Sequence, residues 1–274
     1  MENWTGFLRL AVRHKEERTI PAEVYNRGAF KVTPPIYLDD PSQPCFYLMN
    51  PGGGYVGGDR YKAEIHVGER AQMLLTTQSS TKIFKTLTSP VTQDTSIVME
   101  KDSYLEYMPD PIIAYQHAQY LQNTVIRMEQ GASLIYGDII TPGWSPDGSL
   151  FRYNRLQLKT IVYYEGELVV LDHLQLRPEV HEVEGLGILE GHTHFGTMTV
   201  IGEKATSDFV EQMSDTLSAC AGSCKIGLSA LILPGFSLRV LASSTQKIEA
   251  IFEACQRCVR EQWFGKKPIS FRKY

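Results

Sequence analysis

The sequence predicts a mainly β protein whose strands are followed by two C-terminal α-helices. Over the first two hundred residues, apolar side chains recur at every second position and Gly or Pro interrupts them about every 8–12 residues, as in short half-buried strands. Two segments near the C-terminus change to helical spacing. No Pro-, Gly- and Ser-rich linker divides the chain, so residues 1–274 are expected to form a single domain.

Alternating apolar and polar residues predict strands in several segments. Residues 8–12 place Leu and Val on one face and Arg on the other, and residues 61–67 alternate in the same way. The segment Leu156–Leu176 has two β-rich arms joined at Glu165 and Gly166, which predicts a hairpin. Each segment is therefore expected to bury one face.

The first helix is predicted at about residues 206–220. Apolar residues recur every four positions from Phe209 to Leu217, which gives one apolar stripe. Asp208 and Glu211 have the spacing of a capping box at the start of this helix.

The second helix is predicted at about residues 245–263. Its apolar stripe runs through residues 248–259, and Gly265 and Pro268 follow as stop signals. Between the two helices, the apolar segment Gly227–Ala242 predicts a buried strand pair.

Composition and charge exclude several classes of protein. The chain has 274 residues with 27 Lys and Arg against 31 Asp and Glu, so a net charge of -4 gives no general attraction to nucleic acid. No stretch approaches the roughly 18 apolar residues that a membrane helix needs, and no signal peptide is visible. We therefore expect a cytoplasmic protein, with no membrane partner, whose five cysteines are reduced thiols.

A glycine-rich loop, Pro51–Asp59, contains the pattern G-x-G-x-x-G. The dinucleotide fingerprint requires a helix after this loop, but the sequence continues as a strand. The carboxylate of Asp59 would also repel a phosphate. The loop is therefore interpreted as a place of positive φ angles or close backbone approach.

Four cysteines could supply thiolates to a zinc ion: Cys220, Cys224, Cys255 and Cys258. Cys255 belongs to the apolar stripe of the second predicted helix, which is unlike the tight knuckles of structural zinc sites. Small buried thiols are the simpler interpretation.

His192 and His194 would lie on one face of a strand, as in a transition-metal site. His173 and Glu190 are the candidates for a third ligand. The alternative is a pair of partly exposed histidines on a β-rich surface. Motifs of nucleophilic and zinc hydrolases, such as Gly-x-Ser-x-Gly and His-Glu-x-x-His, are absent from the sequence.

Three aspartates lie in or beside apolar strands: Asp59, Asp138 and Asp172. A carboxylate in such surroundings is costly unless it is hydrogen-bonded, paired or hydrated. Each could be a turn or cap residue, and the alternative is that together they line a polar interior.

Five segments of the chain carry a resemblance to a known family. They are residues 50–59, 75–84, 105–111, 136–140 and 151–155, beginning with Asn-Pro-Gly-Gly-Gly-Tyr-Val-Gly-Gly-Asp and Leu-Thr-Thr-Gln-Ser-Ser-Thr-Lys-Ile-Phe. Together they resemble the urease accessory protein UreD family, called UreH in some organisms.

The resemblance implies a fold and a role. The fold would be a β-helix-like stack of strands with two helices. The role would be non-catalytic: a complex with UreF and the GTPase UreG on apo-urease delivers nickel to the urease active site, and this chain would be the urease-facing component. A dimer within that complex is one arrangement the resemblance allows, and no tightly bound cofactor is expected. The C-terminal helix and the basic tail, residues 264–274, are candidates for binding UreF.

Delivery of nickel needs a route lined by oxygen ligands too sparse to trap the ion. We hypothesise that Asp59, Asp138 and Asp172 line this route, with Glu106 as an additional residue. The alternative function is a β-rich metal-dependent enzyme that uses His192 and His194 with Glu190 or Asp172.

Overall fold

The computed structural model describes residues 3–38, 40–269 and 271 of the chain. In chain order the elements are β1 (Gly6–Lys15), β2 (Arg18–Gly28), β3 (Lys31–Val32), β4 (Cys45–Met49), β5 (Arg60–Val67), β6 (Gln72–Thr77), β7 (Thr81–Ile83), β8 (Val91–Met99), β9 (Tyr104–Tyr107), β10 (Ile112–Ala114), β11 (Gln119–Met128), β12 (Ser133–Ile140), β13 (Arg155–Tyr164), β14 (Glu167–Leu176), β15 (His194–Ile201), α1 (Ser207–Cys220), β16 (Lys225–Ala230), β17 (Gly235–Ala242) and α2 (Thr245–Phe264).

The strands form two sheets. The first sheet has the order β14-β13-β11-β8-β5-β1-β2, and the second has the order β16-β17-β15-β12-β9-β6-β4-β3, with β7 and β10 paired beside it. From β4 to β13 the chain passes repeatedly between the sheets, and strands that follow one another within a sheet pair in parallel. This arrangement confirms the expected stack of β-helix-like coils.

One hydrophobic core lies between the two sheets. The alternation predicted at residues 8–12 and 61–67 is confirmed, because the apolar side chains of β1 and β5 are buried. The predicted hairpin is formed by β13 and β14 around Glu165 and Gly166, both at positive φ. Burial of one face of each sheet stabilises the stack by roughly 25 cal/mol for each Å² of apolar surface removed from water.

A second core lies between the second sheet and the two helices, which confirms both predicted helices. Gly196 on β15 permits the close approach of α2, because a Cβ at this position would lie 2.4 Å from Ile248 and 2.9 Å from Phe252.

The capping box predicted at Asp208 and Glu211 is wrong. Thr206 is the N-cap of α1, and its side chain accepts a hydrogen bond from the backbone N–H of Phe209.

The predicted strand pair in Gly227–Ala242 is present as β16 and β17, but only one of its strands is buried. β17 lies between β15 and β16, whereas β16 is an edge strand with mostly exposed side chains. Among the described residues, neither helix combines the length and apolar character required to cross a membrane.

Candidate functional site

A layer of polar side chains lies between the two sheets. Aligned positions of β8, β11, β13 and β14 form one row across the first sheet: Thr95, Thr124, Thr160 and Asp172. The next row crosses β5, β8 and β11: Tyr61, Gln93 and Gln122. Apart from the half-buried Asp172 these side chains are buried, so the interior of the stack carries hydroxyl and amide groups within its apolar core.

Asp138 faces this layer from β12 in the second sheet. Its side chain is buried, and the hydroxyl of Tyr136 donates a hydrogen bond of 2.7 Å to its Oδ2. The amide nitrogen of Gln122 lies 3.2 Å from both carboxylate oxygens, and the amide oxygen of Gln122 accepts a hydrogen bond from Tyr120. The strand pattern of β12 places Asp138 here because it shares a face with Tyr136.

The surroundings of Asp138 disfavour its charged form. Burial raises the pKa of this carboxyl above its ordinary value, and the negative charge of Asp172 adds to the rise. Hydrogen bonds from Tyr136 and Gln122 act in the opposite direction because they stabilise the carboxylate. A positive charge beside this carboxyl would also favour the carboxylate.

Two small cavities adjoin one another within the stack. The cavity at Asp138 has a volume of about 30 Å³, and a cavity of about 40 Å³ lies under the glycine-rich loop. Their shared wall consists of Phe30, Leu48, Tyr55, Thr77 and Thr81. Each cavity has room for at most a few water molecules.

Asp59 connects the glycine-rich loop to the polar layer. Its Oδ2 accepts hydrogen bonds from the backbone N–H of Val56 at 2.9 Å and from the hydroxyl of Tyr61 at 3.1 Å. The amide of Asn50, which lines the cavity under the loop, donates to the same hydroxyl oxygen of Tyr61. Asp59 is thus a hydrogen-bonded turn residue that also contacts the first polar side chain of the row leading to Gln122.

Asp172 ends the threonine row at the edge strand β14. Its Oδ2 accepts a hydrogen bond from Thr197 at 3.2 Å, and its Oδ1 pairs with Arg239 at 2.8 Å. Thr197 is aligned with Asp138 across β12 and β15. The structure therefore brings Asp59, Asp138 and Asp172 to a single polar layer, although they come from three different strand regions.

Glu106 lies on the other face of the second sheet. It is fully buried there, where it pairs with Arg260 and accepts hydrogen bonds from Gln256 at 2.6 Å and Gln43 at 3.0 Å. Its neighbours in β9, Leu105 and Tyr107, face the interior of the stack instead. Glu106 therefore attaches α2 to the sheet and is separated from the three aspartates.

The histidines do not share a strand face, so that prediction is wrong. β15 begins at His194, while His192 lies in the preceding turn with its Nδ1 3.1 Å from the carbonyl oxygen of Leu189. Glu190 pairs with Lys225. Within residues 3–38, 40–269 and 271, no group of three His, Cys, Asp or Glu side chains is arranged to hold a metal ion.

The cysteines are free thiols, and Cys255 is buried within α2 as the apolar stripe predicts. Burial raises the pKa of the Cys255 thiol, so it stays protonated. This is the behaviour of a small core residue.

The glycine-rich loop packs against β7. The backbone of Tyr55 exchanges hydrogen bonds of 2.8 Å with Lys82 and Phe84, and a Cβ on Gly54 would lie 2.6 Å from the ring of Phe84. Gly53 and Gly58 have positive φ. These contacts account for the glycines by close approach and backbone conformation.

Sequence reasoning did not identify the partners of the three aspartates. Gln122 and Tyr136 occupy inward positions of apolar strands, so the alternation itself contained this signal. Asp110 also lines the cavity at Asp138, but it lies in the connection between β9 and β10, where no periodic pattern indicates which way it faces.

Comparison with known proteins identifies the family. The model of the family described as UreD urease accessory protein matches residues 5–273. A urease accessory protein UreD from Lachnoclostridium phytofermentans is 46% identical over 274 residues, covering 100% of both chains. One from Bacillus cereus is 40% identical over 274 residues with the same coverage, and one from Staphylococcus aureus is 35% identical over 275 residues, covering 100% of this chain and 99% of its own. The chain therefore belongs to the UreD family of urease accessory proteins.

Proposed function

We propose that this chain acts in the cytoplasm as a non-catalytic assembly factor for urease. It binds apo-urease together with UreF and the GTPase UreG, and nickel reaches the urease active site through the resulting complex. Within this chain, nickel moves transiently along the polar layer between the two sheets, past Asp59, Asp138 and Asp172.

The observation that carries the proposal is the position of Asp138. A carboxylate buried between two sheets is costly, yet among the described residues Asp138 has only two hydrogen-bonding side chains, with a water-sized cavity beside it. Asp59 and Asp172 contact the same polar layer through Tyr61 and Thr197. A structural role alone would be met by an apolar or neutral side chain at lower cost.

The ligands of the layer suit transient passage of a cation and not tight binding. Carboxylate, amide and hydroxyl oxygens can each replace a water of a divalent cation, but three or more closely grouped ligands would hold it tightly. Within the described part of the chain, no three His, Cys, Asp or Glu side chains are grouped in this way. Weak and spaced contacts allow the ion to leave again.

The structure of the glycine-rich loop supports the assignment of GTP binding to a partner protein. This loop is followed by β5 and lacks the helix N-terminus on which a nucleotide phosphate would bind. Nucleotide binding is therefore assigned to the partner.

The test is urease maturation in cells that express urease and its other accessory proteins, with and without this chain. We expect urease purified without the chain to lack both nickel and activity, and both to return when the chain is expressed again. Urease that contains its full nickel without the chain would refute the proposed function. Pull-down of the chain with tagged UreF tests the partner assignment separately.

A further inference from the structure

A large groove lies on the outer side of the second sheet, between α2 and the connection from β9 to β10. Its volume is about 790 Å³, against about 30 Å³ for the cavity at Asp138. Two residues line both spaces: Pro109 and Asp110. A short wall that includes Asp110 therefore separates the interior polar layer from an open groove.

Asp110 is held firmly in this wall. Its Oδ2 accepts a hydrogen bond of 2.9 Å from Thr77, and its backbone N–H donates to the same hydroxyl oxygen at 2.8 Å. Pro109 and Pro111 flank it, which restricts the backbone on both sides. Thr77 lines both interior cavities, so the carboxyl of Asp110 contacts a residue in the wall of each cavity.

The two volumes differ in what they can contain. A cation with six water ligands needs on the order of 60–90 Å³, because each water needs about 10–15 Å³ of cavity volume. The groove accommodates such an ion, whereas the cavity at Asp138 does not. An ion that moves from one space to the other must lose most of its water at the wall, and small divalent cations lose water reluctantly.

We propose that Asp110 is the residue at which a divalent cation passes between the groove and the interior. Its carboxylate replaces water ligands where the hydrated ion no longer fits, and Asp138 is the next carboxylate on the same cavity. The groove beside α2 is thus one mouth of the path. This inference rests on the proposed function and adds Asp110 to the three aspartates of the path.

The experiment compares single variants during urease maturation at limiting nickel, with the nickel content of purified urease as the main readout. Asp110→Asn removes the charge but keeps an oxygen that can accept the hydrogen bond from Thr77. Glu253→Gln is the matched control, because Glu253 lines the groove from the exposed face of α2 and is absent from the shared wall. Asp110→Glu retains the carboxylate, and thermal unfolding with pull-down of partners shows that each variant folds and assembles.

We expect Asp110→Asn to lower nickel incorporation about tenfold, which is the lower end of the losses caused by removing a group that supports a metal site. Excess nickel should restore incorporation, Asp110→Glu should retain most of it, and Glu253→Gln should change it by less than about twofold because an exposed charge is screened. If Asp110→Asn behaves like Glu253→Gln while Asp138→Asn is defective, the groove mouth is refuted and the interior path stands. If Asp110→Asn and Asp138→Asn both incorporate nickel normally, the proposed path itself is refuted. A defect shared equally by Asp110→Asn and Asp110→Glu would assign Asp110 a structural role and overturn the inference.

Discussion

The hydroxyl of Tyr136 donates a 2.7 Å hydrogen bond to Oδ2 of Asp138, two residues further along the same strand. Because the side chains of alternate residues share a face, both groups point between the sheets. The bond stabilises one oxygen of a carboxylate that is otherwise surrounded by a small cavity and one amide. A buried acid is thus retained in the stack with few partners among the described residues, at a cost in stability.

Replacing Asp138 with Asn should stabilise the isolated chain at neutral pH. Burial raises the pKa of Asp138, so the folded protein holds this proton more tightly than the unfolded chain, whose Asp pKa is about 3.9. Stability from this group is therefore present below that value and is lost as the pH rises through the raised pKa. Asp138→Asn should gain on the order of 1 kcal/mol at pH 7 and lose this advantage near pH 4.

The measurement for Asp138→Asn is urea unfolding at a series of pH values. Asp59→Asn is the control, since Asp59 is a half-buried turn residue. An Asp138→Asn protein that is less stable than the parent at pH 7 would show that the carboxylate stabilises the fold, which would contradict this prediction.

The buried pair of Glu106 and Arg260 should contribute to stability in a strongly non-additive way. Arg260→Met leaves the Glu106 carboxylate buried without its cation, so we expect a loss of about 3–5 kcal/mol. Adding Glu106→Gln removes the uncompensated charge, and the double variant should recover a large part of this loss. Urea unfolding of the two single variants and the double variant measures the coupling.

The same variants test the separation of Glu106 from the polar layer. Because Glu106 contacts α2 and not the interior, Glu106→Gln should alter stability while the nickel dependence of urease maturation is unchanged. If the Glu106→Gln variant folds and assembles but urease maturation then requires more nickel, Glu106 belongs to the nickel path.

Alanine at Gly54 should destabilise the glycine-rich loop by packing alone. The added Cβ would lie 2.6 Å from Phe84 and 2.8 Å from the carbonyl oxygen of Lys82, so we expect a cost of about 1–3 kcal/mol. Gly52→Ala is the matched control, since its Cβ would lie 3.1 Å from the side-chain oxygen of Asn50 and 3.9 Å from the carbonyl oxygen of Gly54. Equal stability of the two variants in thermal unfolding would contradict the packing explanation for this loop.

Local patterns in the sequence predicted most of the strands and both helices. Period-two alternation indicated the strands, and helical spacing indicated α1 and α2 within one residue at each end. The exposure of β16 could not be foreseen, because the segment Gly227–Ala242 is apolar over most of its length and the position of β16 at the edge of the sheet exposes its side chains.

The sequence predicted the three aspartates of the site but not their neighbours, because the neighbours are set by the pairing register of the strands. Asp59, Asp138 and Asp172 attracted attention as acids in apolar surroundings, and they do contact one polar layer. That Thr95, Thr124 and Thr160 align with Asp172 depends on pairing between strands distant in sequence, which no local pattern encodes. Glu106 was grouped with the aspartates because alternation along β9 does not tell which face the helices cover.

A triple variant tests whether nickel moves through the layer between the two sheets. Asp59, Asp138 and Asp172 are replaced together by Asn, which keeps oxygen acceptors for Tyr61, Tyr136 and Thr197, and urease maturation is followed as nickel is varied. We expect the variant chain still to assemble with its partners, while urease obtained at limiting nickel contains about a tenth or less of the nickel obtained with the parent chain. Normal nickel content at every concentration, with assembly intact, would contradict the claim.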